Sequence, residues 1–369
     1  MFEWRLLRKC DWLLAALCVI LALYGLVAIY SASMSNDRLT GGDRWVFMRR
    51  QAISLAVGVA ALALAVYVNY EALARLAVPL YLINLLALGA VARFGSISGG
   101  AGRWIGAGAF RFQPSEFAKI ILAITLAGML GRGAPRTRAV ALSSVHVAVP
   151  IALVFMQPDL GTALVLAVIW VAALFLAGVS KWHLAAIAAG IALIGVVAWH
   201  TPLLKPYQKA RLTVFVNPSA DPLGDGYHIN QSRIAVGSGQ WLGKGLLKGT
   251  QSQLHFIPAQ HTDFIFTVVG EELGFAGAAA LLALYGLLLW RGIDAAARAK
   301  DAFGRILAGS VAAMLAFQVF VNIGMTAGIM PITGLPLPFL SYGGSSLVAA
   351  MIGVGLLLNV GMRRQKILL

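Results

Sequence analysis

Residues 11–33 read DWLLAALCVILALYGLVAIYSAS, and once past Asp11 the run carries no charge. At a rise of about 1.5 Å per residue, a helix of this length crosses a hydrocarbon core of about 30 Å. The run is too long for a signal-peptide core and no small-residue cleavage pattern follows it, so it reads as a retained anchor. Runs like it recur along all 369 residues, in a chain that is 60% hydrophobic and 12% charged with a mean hydropathy of +0.82. About ten spans of roughly 17 to 25 residues are expected, near 11–33, 51–68, 76–93, 115–131, 139–156, 160–178, 183–200, 264–290, 306–330 and 343–361. None alternates in the manner of a barrel strand. The chain is therefore expected to be an all-α, polytopic integral membrane protein, a single transmembrane domain over 1–369 with no separate soluble domain.

Basic residues set the orientation. With Arg5, Arg8 and Lys9 on the inside, the other inside segments hold Arg132, Arg136 and Arg138, then Arg291, Arg298, Lys300 and Arg305, and finally Arg363, Arg364 and Lys366. Both termini are then inside. Arg38, Arg44, Arg49 and Arg50, between the first two spans, break the rule. Cys10 and Cys18 fall near the inner start of the first span, where neither an oxidising compartment nor metal-ligand spacing serves them.

The net charge of +15 is only partly explained this way. Arg103 and Arg111 face outward, as do Lys205, Lys209, Arg211, Arg233, Lys244 and Lys248 in a long outer loop, 201–263, between the seventh and eighth spans. An outward cationic surface near headgroups suits an anionic partner such as a lipid phosphate. Nucleic acid is a poor fit, because the aromatics do not interleave with the basic residues.

Loops longer than about 15 residues are usually functional or disordered. This one is not of low complexity. Asp221-Pro222-Leu223-Gly224-Asp225-Gly226-Tyr227-His228 is rich in turn formers, and 229–236 reads as a short amphipathic helix on the membrane surface. Gly237-Ser238-Gly239-Gln240-Trp241-Leu242-Gly243-Lys244-Gly245 fails the spacing of a nucleotide loop and reads as a flexible basic turn whose backbone can approach a ligand.

Five constellations carry candidate chemistry. Asp263, in His261-Thr262-Asp263-Phe264-Ile265-Phe266, stands where the polar loop meets an apolar run. Ionisable groups at membrane depth cost about 2.5–3.5 kcal/mol at the centre and are mostly kept for function; the plainer reading is an interfacial cap. Gln113-Pro114-Ser115-Glu116 opens the fourth span, and Lys119 shares a helix face with Glu116 as a structural clamp or as the wall of a polar cavity. Gln157-Pro158-Asp159-Leu160-Gly161-Thr162 holds Asp159 at the outer surface, as a helix cap or as a site residue. The stretch 331–345, ending Phe339-Leu340-Ser341-Tyr342-Gly343-Gly344-Ser345, is irregular backbone that survives at membrane depth only when buried in protein or lining a cavity. Glu271 and Glu272 are either a relay or metal pair on the face of Asp263, or interfacial residues ahead of a span that starts near Gly274.

These motifs, with Arg103-Trp104, Arg111-Phe112, Gly249-Thr250-Gln251-Ser252 and Asn322-Ile323-Gly324-Met325, resemble in collinear order those of the SEDS family (shape, elongation, division and sporulation), and most closely its rod-shape member. The resemblance implies a peptidoglycan glycosyltransferase that polymerises lipid II on the periplasmic face of the inner membrane. The loop 201–263 is then periplasmic. The resemblance also implies Asp263 as the essential carboxylate, a functional cavity including Arg103, Arg111, Glu116, Lys119 and Asp159, and a class B penicillin-binding protein, the transpeptidase, as partner. Lys244 and Ser341 complete the expected substrate-binding set.

The residues suit that chemistry. Asp263 as general base would activate a sugar 4-hydroxyl, and Arg103, Arg111, Lys119 and Lys244 would offset charge on the departing pyrophosphate. Asp263 and Asp159 carry oxygen ligands of the kind Mg2+ or Mn2+ takes, and the sequence leaves a divalent cation open. A lipid-linked precursor flippase is the alternative from another class, and a scaffold for the transpeptidase a third; no internal repeat supports a transporter.

Overall fold

The computed structural model describes residues 8–363 except 36–39, 99–100, 107–110, 134–136, 222–223, 255 and 258. Arg5, Arg38, Arg136, Pro222, Leu223, Arg364 and Lys366, named above, lie outside the described residues.

Helix α1 (Trp12–Ser33) starts where the Asp11 carboxylate accepts the Leu14 N–H at 3.1 Å. The chain continues through α2 (Val46–Tyr67), the short α3 (Tyr70–Arg75) and α4 (Ala77–Phe94). A two-stranded antiparallel hairpin follows, β1 (Ser96–Ser98) and β2 (Ala101–Trp104), then α5 (Pro114–Leu130), α6 (Thr137–Met156), α7 (Leu160–Leu176) and α8 (Lys181–His200). The long loop folds into α9 (Pro206–Val216), a 3-10 turn at Pro218–Ala220, α10 (Asp225–Ser238) and α11 (Thr250–Gln253). It leads into α12 (Ile265–Ala297), α13 (Ala302–Thr326) and α14 (Gly344–Met362).

Eight of these helices are long and apolar enough to cross a membrane. Two more, α5 and α7, are 17 residues each, so ten helices stand where ten spans were expected. The chain is an all-α, multi-pass membrane protein whose hairpin is a small addition at one end. Span limits shift slightly. The second begins at Val46 rather than 51, which places Arg49 and Arg50 in the first turns of α2, with Arg49 ion-paired to Asp43.

Helices α5, α13 and α14 form the interior. Nearly every residue of α5 is buried, and 78% of the apolar window of α14 is buried against none for α8, which hangs at the periphery. Cys18 is buried in α1 with its Sγ against Met351 Sδ.

Three features shape the loop-rich end, where α1 ends and α12 begins. First, the long loop has its own small core of Val214, Ile229, Ala235, Ile257, Phe264 and Ile332. Helix α10 buries Gly226, Ile229, Ser232 and Ala235, and Ser232 donates to the Thr326 carbonyl at 2.6 Å. That helix is longer than the expected 229–236, and its small-residue face packs on α12 and α13 while Ile234 is exposed.

Second, α12 breaks at Gly274 (φ 63°, ψ −161°). The Phe275 and Ala276 N–H groups donate to the Gln240 and Trp241 carbonyls at 2.7 and 3.0 Å. In exchange, the Glu271 and Glu272 carbonyls accept Lys244 and Gly245 N–H at 3.0 and 2.9 Å. Buried backbone groups need partners, and here the segment 240–245 supplies those the break removes. The expected flexible turn is thus a backbone splint.

Third, the stretch 331–343 re-enters the bundle and buries Leu335, Leu337, Phe339 and Leu340. A Cβ on Gly25 would lie 2.3 Å from the Phe339 carbonyl oxygen. Gly25 sits about two turns below the end of α1, so the loop dips roughly 12 Å along that helix. Its irregular backbone is satisfied by protein, as membrane depth demands: Asn322 Nδ2 donates to Leu335 O at 2.7 Å, and Gln51 Nε2 donates to Ser341 O at 3.2 Å.

Candidate functional site

Asp263 ends a turn in which its own N–H donates to Ala259 O at 3.1 Å. The N-cap of α12 is Phe264, with no side-chain cap, so the capping reading of Asp263 does not hold and its carboxylate is left for chemistry. The backbone is pinned on three sides. Asn322 Nδ2 donates to the Asp263 carbonyl at 2.9 Å, Ser341 Oγ donates to the Thr262 carbonyl at 2.6 Å, and Tyr342 N–H donates to the His261 carbonyl at 2.9 Å. Gly334 on the re-entrant loop comes within 3.5 Å of Asp263 Oδ2, measured from a Cβ built there.

The carboxyl of Asp263 is partly exposed yet largely desolvated. Burial pushes its pKa above the usual carboxylate value; the charges of Arg211 and then Arg103 pull it back down, and Asp159 pushes it up. His261, packed against Phe47 and Tyr342, is pushed down to about 4 by burial and stays neutral near pH 7.

Asp159 does two things at once. It caps α7, accepting Thr162 N–H at 3.1 Å and Thr162 Oγ at 2.9 Å, and it faces Arg103 at 3.8 Å. Strand β2 carries Arg103, whose Nε donates to Gln157 O at 3.2 Å and whose Nη2 donates to Pro158 O. Tyr207 of α9 donates to the same Pro158 carbonyl at 3.3 Å, and the Arg211 guanidinium lies 5.8 Å from the Tyr207 ring centre. Asp263, Asp159, Arg103 and Arg211 thus share one electrostatic neighbourhood at the loop-rich end.

The other expected residues are placed differently. Glu116 and Lys119 form a buried pair of their own at 2.7 Å, with Glu116 in the positive first turn of α5. Lys244 is bonded to Glu271 at 2.7 Å and to Thr250 Oγ1 at 2.7 Å, so its charge is paired with a carboxylate. Glu271 also accepts Gln251 and Ser252 N–H at 2.8 and 2.9 Å, while Glu272 accepts Ser31 Oγ at 2.6 Å. Both glutamates are buried in protein and anchor the splint, just ahead of the break at Gly274. Ser341 acts as a backbone pin, also accepting Leu337 N–H at 2.8 Å. The Arg111 carbonyl faces Ser345 Oγ at 3.5 Å, near the Ile105–Phe112 bridge that folds its segment back.

Arg211 and Tyr207 were not singled out from the sequence. Arg211 is one of six basic residues in the long loop, and the signal available was its i+4 spacing from Tyr207 after a Pro that opens a helix. Among the described residues no group of three or more His, Cys, Asp or Glu converges. Asp159 acts electrostatically on Asp263, and a cation taken between these two carboxylates would complete its shell with substrate phosphate rather than an all-protein cage.

Residues 11–366 match the family model described as a cell cycle protein, FtsW/RodA/SpoVE. The chain is 42% identical to the peptidoglycan glycosyltransferase MrdB of Escherichia coli K12, over 95% of this chain and 93% of that one. It is 36% identical to the probable peptidoglycan glycosyltransferase FtsW of Geobacter sp. strain M18, over 96% and 97%. Among solved structures, a chain from a peptidoglycan synthase complex that coordinates polymerization and crosslinking superposes with a TM-score of 0.80 at 35% identity, covering 95% and 97%. The rod shape determining protein RodA of Thermus thermophilus superposes with a TM-score of 0.70 at 32% identity, covering 97% and 98%. In motif order, in helix arrangement and over almost its full length, the chain belongs to the FtsW/RodA/SpoVE family, the SEDS proteins.

Proposed function

We propose that this chain is a peptidoglycan glycosyltransferase that polymerises lipid II during cell elongation, with Asp263 as its general base. The observation that carries the reading is a desolvated carboxylate, held by its backbone on three sides and flanked by two guanidiniums, in a chain 42% identical to a protein of that activity.

In the reaction, the acceptor sugar 4-hydroxyl attacks C1 of the donor sugar. Asp263 takes the hydroxyl proton, the new C–O bond forms, and the C1–O bond to pyrophosphate breaks, its electron pair leaving with undecaprenyl pyrophosphate. An α-linked donor then gives a β-1,4 bond by inversion, with no covalent enzyme intermediate. A raised carboxyl pKa suits a base that must accept a proton in the transition state and shed it afterwards. The guanidiniums offset the charge that develops on the leaving oxygens. A divalent cation held by Asp263 and Asp159 would add charge neutralisation on the phosphates.

The finer placement follows the same reading. The protein lies in the cytoplasmic membrane with both termini cytoplasmic and the loop-rich end periplasmic, where it works with a class B penicillin-binding protein. The test is the purified protein with its transpeptidase partner, supplied with lipid II. Glycan polymer from wild type is expected; no polymer, with lipid II instead moved across vesicle membranes, supports the flippase reading.

A further inference from the structure

The end of the bundle opposite Asp263 holds a cavity of its own. The start of α1 and the last turns of α12 and α14 meet there around a volume of about 150 Å³, roughly ten times the room that one water needs. Lys9, Asp11, Arg291, Asp294 and Arg298 stand in its wall, three cations against two carboxylates.

The acidic oxygens are already engaged. Asp11 Oδ1 accepts the Leu14 N–H at 3.1 Å, and its Oδ2 accepts from Arg291 Nε and Nη2, each at 2.7 Å. Asp294 meets Arg298 Nε with Oδ1 at 2.7 Å and faces Arg291 Nη1 with Oδ2 at 3.6 Å. Arg291 is therefore held from two sides, whereas Arg298 has one carboxylate partner among the described residues and is 55% exposed. A guanidinium met through Nε carries four further N–H donors on its Nη groups. Lys9 is exposed and pairs with no carboxylate among the described residues. An ion-pair clasp between α1 and α12 would need neither this surplus cation nor the cavity.

Two tryptophans set the depth. Trp12, in the cavity wall, and Trp290, next to Arg291, are both well exposed, as are Leu13 and Ile293 beside them. In a chain that crosses a membrane, exposed tryptophans at helix ends sit at the headgroup level. The cations of the cavity therefore look out where lipid phosphates lie, and basic pockets between transmembrane helices on the cytoplasmic side are a known seat for anionic headgroups.

We infer that the cavity between α1, α12 and α14 binds the phosphate of an anionic phospholipid of the inner leaflet, with Arg298 and Lys9 meeting the phosphate and Asp11 holding Arg291 in place behind them. Such a lipid ties the first helix to α12 and α14, and a ligand that binds only the folded chain stabilises it by mass action.

The test is native mass spectrometry of the full chain released from nanodiscs of phosphatidylethanolamine with phosphatidylglycerol or cardiolipin, paired with thermal unfolding in detergent containing the same lipids or inorganic phosphate. Wild type is expected to retain the anionic lipid at least tenfold over phosphatidylethanolamine, and its Tm should rise with anionic lipid but not with inorganic phosphate at the same concentration. Lys9→Gln with Arg298→Gln should lose most of that preference. Gly361→Leu, which extends a side chain from the α14 wall and leaves every charge in place, should lose it too. Arg138→Gln, which removes an exposed cation at the same end but outside the cavity, should leave it unchanged. The exposed positions 9 and 298 decide the matter where Gly361→Leu does not fold. Equal retention in wild type and the Lys9/Arg298 double variant, or an equal loss in Arg138→Gln, overturns the site, and a Tm rise as large with inorganic phosphate overturns its assignment to a lipid. None of these readouts depends on polymerisation, so the site stands or falls apart from the glycosyltransferase reading.

Discussion

Asp263 works against two opposing influences, and its pH behaviour follows from their signs. It must be ionised to take a proton, and burial raises its pKa above the ordinary value of about 3.9. Polymerisation should therefore fall as pH drops through a range higher than an exposed aspartate would show. Arg211 and Arg103 pull that value down and Asp159 pushes it up. The acid limb of kcat/KM should move to higher pH in Arg211→Gln and to lower pH in Asp159→Asn; shifts in the reverse senses would contradict the placement. A second residue-scale expectation concerns Glu116 and Lys119, both buried. Lys119→Met alone leaves a carboxylate without its partner and should cost roughly 3–5 kcal/mol in unfolding, whereas Glu116→Gln with Lys119→Met should recover much of it. A double-variant loss equal to the sum of the two single losses would mean that the pair is not coupled.

At the scale of elements, the long loop is a structured clamp on a broken helix. Gly274 has positive φ, and a Cβ there would lie 2.3 Å from Gly243 N. Gly274→Ala should destabilise by about 1–3 kcal/mol from backbone strain alone, and by more if the splint is expelled; thermal unfolding in detergent checks it. Gly25→Ala should push the re-entrant loop away from α1 and loosen the Ser341 pin under Asp263, lowering activity before stability. How far this was legible in the sequence differs by element. The ten spans could be read because each is long, apolar and poor in charge, a signal local to the run. Asp263 could be read because a carboxylate beside an apolar run is costly. The splint could not: Gly237–Gly245 looks like a loose basic turn until its backbone is seen paired with Glu271, Glu272, Phe275 and Ala276 some 30 positions on. Arg211 could not for the same reason, since only the fold distinguishes it from the other loop cations. The partners of Glu271 and Glu272, namely Lys244, Ser252 and Ser31, were not legible because they come from distant elements.

Across the whole molecule, charged groups separate by end, and the proposed site lies at one of them. The loop-rich end gathers Asp263, Asp159, Arg103 and Arg211, while the opposite end holds the Asp11–Arg291–Asp294–Arg298 ion-pair chain. Trp241 is exposed at the first end. With Cys10 and Cys18 replaced by Ala, Trp241→Cys should react with a membrane-impermeant maleimide from the periplasmic side of whole cells, and Arg298→Cys only after the membrane is opened. The opposite labelling would invert the topology. The account as a whole stands on the chemistry of one side chain, so the most direct measurement compares lipid II polymerisation by wild type and Asp263→Asn, each purified with its transpeptidase partner and shown to be intact. Glycan chains from wild type and a loss of about 10²-fold or more in Asp263→Asn are predicted; equal polymer from both would remove Asp263 from the mechanism.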